Sequence, residues 1–283
     1  MTERVLEITG AAATLWPDGP AWGDASAATI GRLNFASVAA GAALLDQACT
    51  VLAADGTRAV LAPMEGDTWH AYRVVTESDG SPPFAMEPVS SAHDLAALTA
   101  AGFTPLEHYA SSRAAVPPPG TPCPDVPGVT VTAWDGQGAA QLLDQLHALA
   151  GGSFADKLFF KPLDRAGFLA LYQPLLGMID PRLVLFARDA EGRLAGFLFG
   201  LPDLLQGPRP RQAILKTYAS MQRGVGRLLA WHFHERAREL GYGHVVHALM
   251  HSANVSLTRS GQHQGEVFRR YAIFGKQLKR ESA

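Results

Sequence analysis

The segment Val116-Pro117-Pro118-Pro119-Gly120-Thr121-Pro122-Cys123-Pro124-Asp125-Val126-Pro127 constrains this chain more than any other. It places six prolines in twelve residues. Proline has no N–H to donate and its ring fixes φ, so the run can hold neither a helix nor a central strand. An extended linker is expected. It divides the 283 residues into an N-terminal part, about 1–115, and a C-terminal part, about 128–283.

Both parts have globular material to work with. Apolar residues make up 47% and charged residues 18% of the chain, enough for a sizeable core. No apolar run approaches the roughly 20 residues of a membrane helix. Met1-Thr2-Glu3-Arg4 lacks a basic stretch followed by an apolar one. No membrane partner and a cytoplasmic location are therefore expected. Cys49 and Cys123 lie far apart with no CxxC pair, which argues against a disulfide framework and against a metal site. The net charge of −2 hides an asymmetry. Residues 1–120 hold five Arg and no Lys against thirteen carboxylates, a balance of −8. Residues 121–283 hold nineteen basic and thirteen acidic residues, a balance of +6. The basic part points to an anionic ligand, or to attraction between the two parts. No Lys/Arg run with interleaved aromatics is present, so no nucleic acid is expected.

Hydrophobic periodicity orders the C-terminal part. Gly128 to Trp134 alternates like a strand, and Leu142, Leu143, Leu146 and Leu149 recur at helical spacing over 137–150. A second helix is predicted over 164–178 with Asp164 as its cap. Leu183 to Ala187 and Leu194 to Gly200, joined by Asp189-Ala190-Glu191-Gly192, read as a β-hairpin. A strand over Ala213 to Tyr218 leads through Met221-Gln222-Arg223-Gly224 into a helix over about 225–240, ended by Gly241. Val245 to Met250 is a further strand. The tail Val267 to Phe274 fits strand or helix equally.

The N-terminal part echoes this. Leu33-Asn34-Phe35 reads as a strand, Ser37 as the cap of a helix to about 54, and Ala59 to Met64 as the next strand. Val60 and Met64 stand where Val246 and Met250 stand in the later strand, a pattern that suggests internal duplication.

The segment that carries chemistry is strand, Arg223-Gly224-x-Gly226, helix. Glycine lets backbone approach a ligand, and the free N–H groups and dipole of a helix start favour an anion such as pyrophosphate. No GK[ST] and no GxGxxG is present, so neither a P-loop nor a dinucleotide fingerprint applies. A plain tight turn is the alternative.

The order of elements, with Arg223-Gly224-x-Gly226, Ala237, Gly241-Tyr242 and Asn254, resembles the GNAT (Gcn5-related N-acetyltransferase) superfamily. The likeness covers roughly the last 155 residues. It extends more faintly to a partial N-terminal GNAT-like half through Met64 to Arg73 and Gly102-Phe103-x-Pro105-x-Glu107-x-Tyr109. It implies an α/β (α+β) fold, with a twisted, mostly antiparallel mixed sheet flanked by helices in a tandem arrangement. It also implies direct transfer of an acetyl group from acetyl-CoA, as co-substrate, to an amine on a small-molecule acceptor. Tyr218, Ala219, Ser220, Met221, Gln222, Arg223, Gly224, Val225, Gly226 and Arg227 would hold the cofactor. The sequence departs from the superfamily at two places. Aligned by helix length, Met221 occupies the position usually filled by Gln or Arg, whereas aligned on Arg223, Gly226 fits and Leu228 takes the final Gly or Ala place. Leu257-Thr258-Arg259-Ser260-Gly261 lacks the tyrosine that often serves as acid. Ala40-Gly41 stands at the corresponding N-terminal turn, so no second CoA site is expected.

Under that resemblance His251 and His247 are candidate bases, Tyr271 a candidate acid, and Asn254 a ligand for a carbonyl or water near the cofactor. Each has a structural alternative, as a buried polar residue, a core aromatic or a helix cap. Glu65, Asp67, Asp79 and Glu87 are candidates for recognising a cationic acceptor. A homodimer is compatible with the sequence. A non-catalytic acyl-CoA-binding protein and an aminoacyl-tRNA-dependent transferase are the competing functions.

Overall fold

The computed structural model describes residues 3–154, 157–253, 260–261 and 263–278. The N-terminal part forms β1 (Arg4–Ile8), β2 (Ala11–Trp16), the short pair β3 (Ala21–Trp22) and β4 (Ala25–Ser26), β5 (Ala28–Phe35) and α1 (Val38–Ala54). It continues with β6 (Ala59–Ala62), β7 (Val74–Ser78), α2 (Asp94–Ala100) and β8 (Thr104–Ala115). After the proline run come β9 (Thr130–Ala133), α3 (Ala139–Phe154), α4 (Arg165–Tyr172), β10 (Val184–Arg188) and β11 (Leu194–Pro202). The chain then forms β12 (Gln212–Ser220), α5 (Val225–Glu239), β13 (His244–His251) and β14 (Glu266–Gln277).

Local chemistry sets these elements. Ser37 accepts a hydrogen bond from Ala40 N at 3.1 Å to open α1, and Asp164 accepts from Gly167 N at 2.7 Å to open α4. Such caps contribute about 1 kcal/mol each. The predicted helix over 164–178 is shorter than expected. It ends at Tyr172 and tightens into 3₁₀ turns over Gln173–Met178, because Pro174 cannot donate to the carbonyl four residues back. Along α1, Leu44, Leu45, Ala48 and Leu52 are fully buried against the sheet. Each leucine contributes roughly 1.5–3 kcal/mol.

One twelve-stranded sheet runs through both parts in the order β1-β2-β5-β6-β14-β8-β13-β12-β11-β10-β9, with β7 beside β14. Neighbours are antiparallel except two pairs, β5/β6 and β12/β13, which are parallel. These two strand–helix–strand units correspond to one another, each built around a long helix, α1 or α5. The last strands are exchanged between the parts. β8, which precedes the linker, pairs with β13, and β14, the last strand of the chain, pairs with β6. The tail that the sequence left open is thus a central strand. Tyr271 to Phe274 are buried on both faces, which erases the alternation that would mark a strand.

The helices form two layers. On the C-terminal part α5 packs its Val225, Leu229, Phe233 and Ala237 onto one face of the sheet. On the other face Leu142 of α3 meets Val184, Phe186 and Phe197. The proline run lies along α5. Thr121 O accepts from Trp231 Nε1 at 3.2 Å, and Val126 packs into the α5 core.

Candidate active site

The parallel pair β12/β13 parts partway along its length. Gln212 to Leu215 are in register with His244 to His247, and the pairing then stops. β12 stays bonded to β11 as far as Ser220, while β13 stays bonded to β8. Among the described residues, Lys216, Thr217, Ala219 and Ser220 have no strand partner on the β13 side, and a buried backbone group needs one. The matching place between β5 and β6 is closed by the chain itself. Met64 N donates to Ile30 O at 2.8 Å, and a Cβ on Gly31 would meet Met64 O at 2.7 Å.

Beyond Ser220 the chain turns into α5. Gly224 is the N-cap at φ +90°, a conformation that favours glycine, and no side chain caps the helix. Among the described residues, the N–H groups of Arg223, Gly224 and Gly226 have no acceptor. The helix start lies close on the sheet, since a Cβ on Gly196 would come within 2.9 Å of Val225. Orphan donors at the positive end of a helix dipole, beside a strand edge with open main-chain groups, match an extended ligand with amides and a phosphate end.

The parted strands open into a cavity of about 940 Å³ between the two parts. Trp69, from the segment after β6, closes one side. Its Nε1 donates to Lys161 O at 2.8 Å, and its ring lies 5.7 Å from both Phe160 and Phe168. Leu146, Phe197 and Phe199 continue the apolar wall.

Several charged or titratable side chains enter this wall. Lys216 of β12 donates from Nζ to Met86 O at 2.9 Å. Burial and then the charge of Arg73 lower its pKa to about 7, against the opposing pull of Glu87. Arg73 is 8% exposed and sits at φ +87°. Its Cζ lies 3.9 Å from the Tyr72 ring centre and 3.8 Å from that of Tyr109. Burial lowers its pKa to about 10. Glu87 accepts from Arg269 Nη1 at 2.5 Å and from the Tyr271 hydroxyl. Glu107 of β8 accepts from His251 Nε2, whose other nitrogen accepts from Ala253 N at 3.2 Å. The Tyr109 ring stands edge-on to His251 at 5.1 Å.

Of the residues singled out in the sequence, His251 and His247 both line the cavity. His247 is 5% exposed and fully engaged, with Nε2 at 2.9 Å from His234 Nε2 and Nδ1 at 2.7 Å from Ser260 Oγ. Tyr271 lies behind the wall, with its hydroxyl on Glu87 and Ser111, and burial raises its pKa. Asn254 lies outside the described residues. Tyr218, Ala219 and Ser220 end β12, and Met221, Gln222, Arg223, Gly224, Val225, Gly226 and Arg227 form the turn and the first residues of α5. The acidic candidates are engaged within the protein. Glu65 meets Arg32, Asp67 meets His70 at 2.7 Å, Asp79 meets Arg113, and Glu87 meets Arg269. Sequence reasoning missed Lys216, Arg73 and Glu107 as site residues. Lys216 had a signal, as the single charge in the otherwise apolar run Ala213 to Tyr218.

No family model matches the chain, and no curated protein matches it in sequence. Solved structures do match. A GCN5-related N-acetyltransferase from Sphaerobacter thermophilus aligns with a TM-score of 0.60 at 14% identity, over 95% of this chain and 77% of that one. A tandem GNAT protein from the clavulanic acid biosynthesis pathway aligns with a TM-score of 0.57 at 15% identity, over 96% of this chain and 80% of that one. A GCN5-related N-acetyltransferase from Anabaena variabilis aligns with a TM-score of 0.56 at 8% identity, and this chain spans 60% of its length. On these alignments the chain has the GNAT fold.

Proposed function

We propose that the protein is an acyl-CoA-dependent N-acetyltransferase that moves an acetyl group to an amine held in the cavity between its two parts. The carrying observation is the parting of β12 from β13 after Leu215 and His247, directly before the glycine-capped start of α5. In this reading the main-chain groups of Lys216, Thr217, Ala219 and Ser220 on the β13 side take the amides of the pantetheine arm. The N–H groups of Arg223, Gly224 and Gly226 take the pyrophosphate. The division at 116–127 leaves one such site, in the 128–283 part, because the β5/β6 parting is filled by Met64.

The bound acetyl-CoA supplies a thioester carbonyl. Glu107, oriented by His251, accepts a hydrogen bond from the incoming amine and fixes its approach. As the amine nitrogen bonds to the carbonyl carbon and the carbon–sulfur bond breaks, Lys216 takes the proton that the nitrogen loses. The same ammonium then returns that proton to the departing thiolate, so the lysine ends neutral. A pKa of about 7 suits both halves of this exchange. Neither His247, whose two nitrogens are engaged, nor Tyr271, which lies behind Glu87, is needed for it. The small-molecule acceptor and the cytoplasmic location belong to the same proposal. No described helix is long and apolar enough to cross a membrane.

The test is thermal stabilisation by acetyl-CoA and by free CoA at saturating concentration, beside Gly224→Glu. A ligand at 100 times its Kd stabilises the native state by about 2.7 kcal/mol. The variant sets a carboxylate at the helix start and a Cβ 3.3 Å from Val126. A rise in melting temperature that the variant lacks supports the site. No rise with either ligand rejects it.

A further inference from the structure

We infer that Arg73 is the carboxylate-binding residue of this cavity, so that the acceptor is an amino acid with an apolar side chain rather than a simple amine. The inference rests on the transfer reading above and names its substrate class.

Arg73 is buried without a counter-charge. Among the described residues no carboxylate lies within ion-pair distance of it, and its Nε has no hydrogen-bond partner. Its Nη2 donates to the Tyr72 hydroxyl. Two phenol rings hold the guanidinium in place, which preorganises the fork without neutralising it. The backbone is held in a left-handed conformation that a non-glycine residue rarely adopts, with Arg73 N bonded to Pro63 O at 3.1 Å. An unpaired, shielded charge is costly, so an arrangement that keeps one in a cavity wall suits an anion that arrives with the ligand.

The other charges in the cavity reinforce this. Glu87 is committed to Arg269 and Tyr271, and Glu107 meets His251 through one oxygen, Oε2. Lys216 lies close enough for the charge of Arg73 to help lower its pKa. Arg73, unlike Glu87 and Glu107, has no opposite charge against it among the described residues. The Tyr109 ring touches both the Arg73 guanidinium, at 3.8 Å, and His251, the partner of Glu107, at 5.1 Å. A ligand with a carboxylate at Arg73 and an amine at Glu107 would lie along the Tyr109 ring that both neighbour. The remaining wall, with Trp69, Phe160, Phe168, Phe197 and Phe199, is apolar and leaves room for a large side chain.

Calorimetry on the full chain tests this with L-phenylalanine, 2-phenylethylamine and 3-phenylpropionate as probes, against the parent, Arg73→Met and Arg73→Lys. The parent is expected to bind phenylalanine and phenylpropionate. Arg73→Met is expected to weaken both by about 10- to 100-fold, the loss of a charge-assisted bidentate contact. Phenylethylamine binding should be unchanged, and Arg73→Lys should fall between. Equal binding of phenylalanine and phenylethylamine by the parent overturns the inference, even if Arg73→Met does not fold. So does undiminished phenylpropionate binding by a folded Arg73→Met. A second arm compares acetyl-CoA with succinyl-CoA as donors. If Arg73→Met changes only the preference between donors, the arginine reads an acyl carboxylate and the acceptor assignment is wrong. Carboxylate binding that depends on Arg73, with no acetyl transfer to any probe, keeps the anion site and rejects the transferase reading.

Discussion

Arg269 and Glu87 form an ion pair at 2.5 Å although they lie 182 residues apart, and both side chains are almost completely shielded from water. Arg269 is on β14, so the pair fastens the last strand of the chain to the segment before α2. The Tyr271 hydroxyl donates to the other carboxylate oxygen, and Phe84 N donates to the same oxygen as Arg269, at 3.1 Å. Removing the carboxylate leaves a buried guanidinium, which typically costs 3–5 kcal/mol. Glu87→Gln is therefore expected to lower stability by about that amount, measured by urea unfolding. Replacing both Glu87 and Arg269 by Leu or Met is expected to recover much of the loss. If the double variant is as unstable as the single one, the pair is not the source of the effect.

Lys216 sets the expected pH dependence of transfer. Its folded pKa of about 7 lies below the ordinary 10.5, because burial and Arg73 disfavour the charge. The neutral amine is the form that accepts a proton, so kcat/KM should rise as pH increases through about 7. Lys216→Met should lose that rise and reduce the rate by about 10²- to 10⁴-fold, the usual range for a positioned base. Stability follows the same sign. Between pH 7 and 10.5 the unfolded chain binds the extra proton, so the parent gains stability as pH rises across that window. Lys216→Met should lose this gain. A parent pH–rate profile identical in shape to that of the variant would remove Lys216 from the reaction.

Trp69 joins the two parts at the cavity. Its Nε1 bonds to Lys161 O, and its ring touches Phe160, Phe168 and Tyr172. Trp69→Ala deletes this cluster from one side and is expected to cost about 3–5 kcal/mol if the site cannot collapse. Trp69→Phe keeps most of the ring contact and should cost less. Equal loss in the two variants, read from denaturant midpoints, would mean that the indole hydrogen bond, not packing, joins the parts.

The sequence made the C-terminal elements legible because each carries a local signal. Asp164 and Ser37 cap helices as their types predict, and Gly241 ends α5 at φ +82°. The glycine turn was visible because Gly224 needs a conformation that glycine alone adopts easily. What stayed hidden was set by long-range pairing. β1, β2, β7 and β8 were not recognised, and no local pattern says that β8 will pair with β13 while β14 crosses to β6. That exchange brings Glu107 to His251 across 144 residues. Arg73 was hidden for a related reason, since its lack of a counter-charge among the described residues is a property of the folded cavity and not of its neighbours in sequence.

His234 and His247 give a prediction at acid pH. Their Nε2 atoms are 2.9 Å apart, so one ring donates and the other accepts, and the two cannot both be charged. His263 stacks on His234 at 4.4 Å. For His234, burial and then repulsion from His247 and His263 lower the pKa to about 2. For His247, burial and then His263 lower it to about 3. In the unfolded chain both titrate near 6.5. Below that pH the unfolded state binds more protons, so stability is held above about pH 6.5 and lost as the pH falls towards 3. Each histidine contributes a slope of about 1.4 kcal/mol per pH unit in that window. His234→Phe removes one of these protons while filling the space with a ring. Its stability should fall less steeply between pH 6 and 4 than that of the parent, even though its stability at pH 7.5 is lower. Parallel curves of unfolding free energy against pH for the two proteins would show that the pair is already charged in the folded state.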